Sequence, residues 1–287
     1  MLRHLLELDD LSADELTGVL DLAEQPDPEP VLAGRGAALL FEKPSNRTRL
    51  SMELAVVQLG GHPVSLRNEE VGIDTRETAE DLARVYSGMC ALIGARVFEH
   101  DKLVRMAAAS SVPVVNLLSD DAHPVQALAD LLTLRQRLGP LAGRSVAYVG
   151  DGNNVCRSLM IGAALAGMAM RVATPPGYEP PADGVTTLTN DPAEAVDGVD
   201  AVYTDVWASM GQEEEAAKRR RDFAGFTIDD DLMARAAPEA LFLHCLPAHR
   251  REEVAASVID GPQSAVWQQA TNRMHAQRGL ILWLLSQ

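Results

Sequence analysis

The chain has 287 residues, of which 47% are hydrophobic, and its 41 acidic and 25 basic side chains give a formal net charge of -16 at pH 7. This length and apolar fraction allow about two domains with cores of their own. The excess of negative charge argues against nucleic acid or an anionic membrane as a partner, because both bind basic surfaces. An anionic small molecule would have to be held by a few well-placed cations.

The cysteines and the N-terminal segment bear on the cellular compartment. Cys90, Cys156 and Cys245 are too few and too scattered for a disulfide framework or a zinc cluster. Acidic residues soon interrupt the N-terminal apolar stretch, so no signal-peptide core forms, and no apolar run reaches the length that spans a membrane. These features predict a cytoplasmic protein.

Local patterns in the first half of the chain alternate between strand and helix. Ser12 and Glu15 have the spacing of a capping box, which predicts a helix to about Ala23. Apolar runs and helical spacings then predict strands at 37–41, 62–66, 90–95 and 112–116, with helices at about 47–59, 76–88 and 101–110. This alternation indicates a parallel sheet that is covered on both faces.

The pattern begins again after a predicted helix from about Pro124 to Leu138, which ends at Gly139-Pro140. Four prolines within 174–184 predict a loop in place of one crossover helix. The charged segment 212–222 predicts a solvated helix. The other predicted elements are strands at 146–149, 171–174, 198–205 and 240–245, and helices at 154–166 and 271–286.

The predicted fold is therefore α/β with two domains, each a parallel sheet flanked by helices. The first domain is expected to comprise residues 1–135 and to be completed by a C-terminal helix at 265–287. The second is expected to comprise residues 136–264.

Polar side chains follow six of the predicted strands, at the sheet edge where open parallel sheets bind ligands. The segment 45–49 combines two hydroxyl groups, two arginines and the free N–H groups of a helix start, which is the chemistry of a phosphate site. The other five strand ends are followed by Arg96, by His123 and Gln126, by Asn154, by Asp205, Ser209 and Met210, and by Cys245 and Leu246. The strand ends of the first predicted sheet are rich in Arg, His and Ser and suit an anion. Those of the second are rich in Asn, Asp, Ser and Cys and suit an amino compound.

Each of these residues also has a purely structural interpretation. The 45–49 segment could be an ordinary helix cap, Arg96 a surface arginine and His123 a packing residue. Cys245 could be a small buried hydrophobe. Gly150 and Gly152 resemble a dinucleotide fingerprint, but its third glycine is absent. The occurrence of such residues after all six strands favours a functional interpretation.

Nine segments, in order and over nearly the whole chain, resemble the aspartate/ornithine transcarbamylase family and, within it, the ornithine carbamoyltransferases. The HPxQ and HCLP segments are typical of transcarbamylases, and the Ser-Met-Gly loop is typical of the ornithine branch. The segments are FEKPSNRTR, LARVYS, ARVF, HPVQALADLLTL, VGDGNN, TPPGYEP, TDVWASMGQEEE, HCLPAHRREEV and ATNRMHAQ.

The resemblance implies an active site in the interdomain cleft, binding carbamoyl phosphate and L-ornithine without a metal or organic cofactor. It implies that the phosphate is held by Ser45, Asn46, Arg47, Thr48 and Arg96. It implies that the carbamoyl group is contacted by His123, Gln126, Arg273 and the backbone around Cys245 and Leu246. It implies that ornithine is bound by Asn154, Asp205, Ser209 and Met210, with Cys245 near the reacting amine.

The implied reaction is attack of the neutral δ-amine of ornithine on the carbamoyl carbon, giving L-citrulline and phosphate in arginine biosynthesis. Arg47, His123 and Arg273 would stabilise the negative oxygen that develops, and binding both reactants would supply much of the remaining gain. The general base stays open between the substrate's own phosphate and Asp205 with Cys245. The resemblance also implies a homotrimer or a multiple of trimers.

Three departures from the family pattern stand out. Asn46 replaces the usual threonine; we expect it to cap the helix still, with weaker carbamoyl phosphate binding. In sequence, Glu70 corresponds most nearly to a Gln or His of the family, on a loop that the family inserts into the active site of a neighbouring subunit. A carboxylate beside a bound phosphate would be unfavourable there. The region 175–189 is shorter than usual.

Three other functions remain open from the sequence. The chain could carbamoylate another amine, such as putrescine or N-acetylornithine. It could be a nucleotide-dependent oxidoreductase built on residues 145–170, which nicotinamide binding would reveal. It could also be a noncatalytic paralogue, for which Asn46 and Glu70 are the only support.

Overall fold

The computed structural model describes residues 2–208 and 213–287. The fold separates into two compact units. Unit 1 comprises Met1–Leu132 and Thr271–Gln287, and unit 2 comprises Thr133–Ala270. Each unit boundary lies within six residues of the corresponding predicted domain boundary. Both unit boundaries fall inside helices, one within Pro124–Leu138 and the other within Val266–Leu285.

Unit 1 contains a four-stranded parallel sheet in the order β2-β1-β3-β4. The strands are β1 (Gly36–Phe41), β2 (His62–Arg67), β3 (Cys90–Arg96) and β4 (Val114–Leu118). The helices are α1 (Ala13–Ala23), α2 (Arg47–Gln58), α3 (Asn68–Val71), α4 (Ala79–Ser87), α5 (His100–Ala109) and α6 (Pro124–Leu138), which continues into unit 2.

Unit 2 contains a five-stranded parallel sheet in the order β7-β6-β5-β8-β9. The strands are β5 (Ser145–Val149), β6 (Ala169–Ala173), β7 (Thr187–Thr189), β8 (Ala201–Thr204) and β9 (Leu241–His244). The helices are α7 (Asn154–Leu165), α8 (Pro192–Val196), α9 (Ala216–Asp222), α10 (Asp230–Met233), α11 (Ala256–Ile259) and α12 (Val266–Leu285), which ends in unit 1.

Much of the predicted local structure is confirmed. The Ser12 hydroxyl accepts from the Glu15 amide and the Glu15 carboxylate accepts from the Ser12 amide, so the capping box begins α1 as expected. After Gly36, every residue of β1 is buried, in keeping with a central strand covered on both faces. No helix forms within 174–184, where prolines remove backbone donors.

Other elements correct the predictions. The short strand β7 and helix α8 were not predicted, because three and five residues are too short to give a periodic pattern. The last helix begins at Val266, five residues before the start at 271 that the local pattern predicted and one residue after the start of the C-terminal helix assigned to the first domain. The segment 212–222 is not a fully solvated helix: α9 begins at Ala216, and Arg219 within it is 7% exposed.

Each sheet has a point where the chain reverses the direction in which it adds strands. In unit 1 this switch lies between β1 and β3, since β2 is added on one side and β3 with β4 on the other. In unit 2 it lies between β5 and β8. Right-handed crossovers put the following helices on opposite faces at such a point and open a crevice beyond the strand ends. Within the described residues, no helix is both long and apolar enough to cross a membrane.

Candidate active site

The switch point of unit 1 brings together three predicted residues from distant parts of the chain. Thr48 lies in the first turn of α2, Arg96 ends β3, and Arg273 projects from α12. The Thr48 hydroxyl accepts from Arg96 Nη1 at 3.4 Å and also from Arg273 Nη2. Thr48 and Arg273 are 1% and 3% exposed. Two guanidinium groups therefore meet at the N-terminus of a helix, where an anion is stabilised.

His123 lies directly before α6 and is buried. Burial lowers the pKa of His123 well below its ordinary value of 6.5, and the positive charges of Arg273 and Arg96 lower it further. The imidazole is therefore neutral at physiological pH. A neutral imidazole can donate one hydrogen bond to a developing negative oxygen without adding charge to this cationic group of residues.

Gln126 lies in the first turn of α6 with its side chain buried. Its amide nitrogen Nε2 donates to Asp130 Oδ1 at 2.8 Å. Its amide oxygen Oε1 is buried and has no hydrogen-bond partner among the described residues. Because an unsatisfied buried acceptor is costly, this oxygen is suited to receive a ligand N–H group. Asp130 was not predicted as part of the site.

The start of α2 corrects the interpretation of Asn46. Its side chain makes no capping hydrogen bond; the Ser45 hydroxyl instead accepts from the Thr48 amide at 3.3 Å. Asn46 is exposed, whereas Arg47 beside it is partly buried. Among residues 2–208 and 213–287, Arg47 has no ion-pair partner, and its Nε atom is buried without a hydrogen bond. The arginine's charge is thus available to a ligand.

Glu70 takes part in local structure. Its carboxylate accepts from the Arg67 amide at 2.8 Å and so caps α3, and its carbonyl accepts from Arg76 Nη1 at 3.3 Å. Glu70 is exposed. These contacts explain why a carboxylate stands here: it stabilises the N-terminus of a one-turn helix.

The switch point of unit 2 is centred on Asp205, which is 5% exposed and directly follows β8. Its Oδ2 accepts from Asn153 Nδ2 at 2.9 Å. Its Oδ1 accepts from its neighbour's amide, Val206 N, at 2.8 Å and from Cys245 Sγ at 2.9 Å. Three donors therefore fix the carboxylate in one orientation.

Asn153 has two roles that the sequence did not reveal. Its Oδ1 accepts from the amides of Val155 and Cys156 at 3.0 and 3.1 Å and so caps α7, while its Nδ2 holds Asp205. The prediction singled out its neighbour Asn154, which is the first residue of α7. An Asn directly before a predicted helix is the signal that could have identified Asn153 as a cap.

The backbone after β9 is held by a buried pair. Leu246 has a φ of +61° and precedes a cis proline, and its amide donates to His244 Nδ1 at 2.8 Å. Because His244 Nδ1 accepts, Nε2 carries the proton and donates to Glu253 Oε1 at 3.2 Å. The pair of His244 and Glu253 therefore fixes the segment that carries Cys245. The sequence analysis did not predict this pair.

The described residues include one group at this site with the donor atoms of a metal site. Asp205, His244 and Cys245 each have a potential ligand atom within 4.8 Å of the others. Both nitrogens of His244, however, are already engaged by Leu246 and Glu253. The remaining two predicted residues, Ser209 and Met210, lie outside the described residues.

Models of known protein families match both units of the chain. The family model "Aspartate/ornithine carbamoyltransferase, carbamoyl-P binding domain" matches residues 3–136, and the model "Aspartate/ornithine carbamoyltransferase, Asp/Orn binding domain" matches residues 142–284. The chain therefore belongs to the aspartate/ornithine carbamoyltransferase family of enzymes.

Relatives from the ornithine branch match over almost their full length. The ornithine carbamoyltransferase of Acidothermus cellulolyticus is 50% identical, covering 99% of this chain and 97% of the relative. The solved ornithine carbamoyltransferase of Pyrococcus furiosus is 44% identical with a TM-score of 0.93, covering 97% of this chain and 96% of that one. The Thermus thermophilus structure is 47% identical with a TM-score of 0.92 and covers 99% of both chains.

Proposed function

We propose that this chain is an ornithine carbamoyltransferase, which transfers the carbamoyl group of carbamoyl phosphate to the δ-amine of L-ornithine and forms L-citrulline and phosphate. The observation that carries the proposal is the meeting of Arg96 and Arg273 on Thr48, at a helix N-terminus that also bears Arg47, which has no ion-pair partner among the described residues. The full-length similarity to the ornithine branch supports the choice of amine.

In this proposal unit 1 binds carbamoyl phosphate. Ser45, Asn46, Arg47, Thr48 and Arg96 hold the phosphate. Their cationic groups neutralise its charge in the complex and when it leaves. His123 and Arg273 donate to the carbamoyl oxygen, whose negative charge grows as the tetrahedral intermediate forms. The Gln126 amide oxygen accepts from the carbamoyl NH₂, because its own amide nitrogen is already held by Asp130.

Unit 2 binds L-ornithine in this proposal. The Asp205 carboxylate pairs with the α-ammonium group, and Asn154, Ser209 and Met210 complete the amino-acid site. Cys245 and the backbone at Leu246 contact the reacting groups. Since Asp205 is already held by three donors, it needs little reorganisation when the substrate arrives.

The δ-amine must lose a proton before or during attack. The proton is accepted either by the phosphate of the substrate or by the pair of Asp205 and Cys245. In that pair, Cys245 Sγ lies 2.9 Å from Asp205 Oδ1. We further propose that the enzyme acts in arginine biosynthesis in the cytoplasm, as a homotrimer or a multiple of trimers, without a cofactor.

The direct test is citrulline formation from carbamoyl phosphate and L-ornithine, measured beside putrescine, N-acetylornithine and aspartate at equal concentrations. We expect a clear preference for L-ornithine. Preference for another amine would overturn the assignment of Asp205 and leave the phosphate half in place. No product with any of the four would favour a noncatalytic protein.

A further inference from the structure

Arg219 of α9 is a buried charge that the proposed reaction does not use. It is 7% exposed, although arginine is almost never buried without a partner. Its Nη1 donates to Asp151 Oδ2 at 2.7 Å and to the Trp207 carbonyl at 2.8 Å. Its Nε donates to Glu215 Oε2 at 3.1 Å. One guanidinium group therefore joins three separate segments of unit 2.

Two of these segments carry the residues that orient Asp205. Asp151 lies between the end of β5 and Asn153, whose amide holds Asp205. Trp207 is two residues beyond Asp205 on the segment that follows β8. Arg219 thus fixes the backbone on the β5 side and the β8 side of the same carboxylate.

A second set of contacts holds Arg219 and the β5 segment together. The Tyr178 ring lies 5.1 Å from the guanidinium carbon, and the Tyr178 carbonyl accepts from the Gly152 amide at 2.9 Å. A Cβ atom at Gly152 would lie 2.3 Å from the Pro180 nitrogen, so only glycine fits here. The segment beyond β5 is therefore packed between this loop and Asp205.

The charges explain why an arginine is needed at this position. Burial raises the pKa of Asp151, the positive charge of Arg219 opposes that rise, and the negative charge of Asp205 adds to it. Without Arg219, Asp151 would be a buried carboxylate close to Asp205, and no other cation among the described residues offsets its charge.

We propose that Arg219 is a positioning residue for the amino-acid half-site: by joining Asp151 to the Trp207 carbonyl, it sets the position of Asp205 and hence the affinity for the α-amino acid. The inference rests on the proposed function, because it takes Asp205 as the ornithine-binding carboxylate. Arg219 acts through these partners and does not touch the substrate itself.

The test compares Arg219→Gln with Arg220→Gln, a neighbour on α9 whose exposed side chain pairs with Glu252. We expect Arg219→Gln to raise KM for L-ornithine by about 10- to 100-fold, since misplacing a binding group by an ångström has effects of this size. KM for carbamoyl phosphate should stay within about twofold, and Arg220→Gln should match wild type. Arg219→Lys should give a KM for L-ornithine between those of wild type and Arg219→Gln. The lysine ammonium keeps the positive charge but lacks the planar fork of donors that a guanidinium group has.

A loss of folding is separated from a loss of positioning by the double variant Asp151→Asn/Arg219→Gln. It removes the uncompensated buried charge that Arg219→Gln alone would leave. We expect it to recover thermal stability while KM for ornithine stays high. A wild-type KM in the folded double variant, or in Arg219→Gln itself, would overturn the proposal.

Hydrogen exchange of the ligand-free protein tests the positioning independently of the reaction. Peptides covering 150–156 and 204–208 should exchange faster in the double variant than in wild type or Arg220→Gln. If wild type made no citrulline, the proposed function would fail, and unchanged exchange in these peptides would separately overturn the positioning role.

Discussion

The candidate sites of the two units hold their charged groups in different ways. In unit 1, two arginines donate to the neutral hydroxyl of Thr48, and Arg47 beside it lacks an acidic partner among the described residues. In unit 2, Arg219 is paired with the Asp151 carboxylate, whereas Asp205 accepts three hydrogen bonds that orient it without supplying a positive charge.

This difference separates binding charges from supporting charges. A buried arginine that faces a carboxylate has its charge neutralised, so it contributes position rather than affinity for an anion. Arg47 lacks such a partner among the described residues and so keeps its charge for a ligand. The overall charge of -16 makes this local cationic group the more necessary for an anionic substrate.

The strongest test of the contrast is Arg47→Ala. We expect it to abolish measurable turnover, a fall of at least about 10³ in kcat/KM, because the proposed role of Arg47 is to place a cation beside both the phosphate and the developing oxyanion. The unfolding temperature should stay close to wild type, since Arg47 has no ion-pair partner within the described residues.

The matched control for Arg47→Ala is Arg49→Ala, two residues along the same helix. The sequence placed Arg49 in the same candidate phosphate segment, but the structure pairs it with Glu53 on a partly exposed surface. Its removal should therefore leave kcat/KM within a few-fold of wild type. Activity of Arg47→Ala within a few-fold of wild type would contradict the phosphate role.

The corresponding change in unit 2 is Asp205→Asn. We expect KM for L-ornithine to rise about 10- to 100-fold, the value of one hydrogen bond to a charged group, with little change in KM for carbamoyl phosphate. Steady-state kinetics with each substrate varied in turn would measure both. Equal weakening of the two substrates would mean that Asp205 supports the whole site rather than the amine.

A third prediction concerns pH and stability. The pKa of folded His123 is depressed by burial and by Arg273 and Arg96, so the unfolded chain binds its proton first as pH falls. Stability from this group is therefore present above about pH 6.5, the ordinary value for histidine, and is lost as pH falls below it toward the folded pKa.

The free energy of unfolding, measured by urea denaturation between pH 7.5 and 5.0, would show whether stability falls with pH as expected. His123→Asn should lose less stability than wild type over that range, whereas His62→Asn, at an exposed position of β2, should follow wild type. Parallel curves for wild type and His123→Asn would show that the imidazole is not held neutral by its surroundings.

The smallest expected effect is that of Asn46→Thr. Because the Asn46 side chain makes no capping bond and Ser45 supplies one, unfolding free energy should change by no more than about 1 kcal/mol. KM for carbamoyl phosphate should fall by at most a few-fold. A fall of tenfold or more would mean that Asn46 itself limits phosphate binding.

The sequence by itself determined the features that depend on local pattern. Apolar runs and helical spacings predicted the long strands and helices, and the capping box at Ser12 predicted the start of α1. The principle that ligands bind beyond the ends of parallel strands made Thr48, Arg96 and Asp205 candidate site residues. Short elements such as β7 were missed because three residues carry no period.

The tertiary structure decided which side chains meet. Thr48 and Arg273 are 225 positions apart, Asn153 and Asp205 are 52 apart, and Arg219 reaches Asp151 across 68. No local pattern encodes such pairs, since they depend on strand order and on which helix crosses which strand end. For the same reason a charged helix looked solvated in sequence, although one of its arginines is buried against a carboxylate that only the folded sheet brings near.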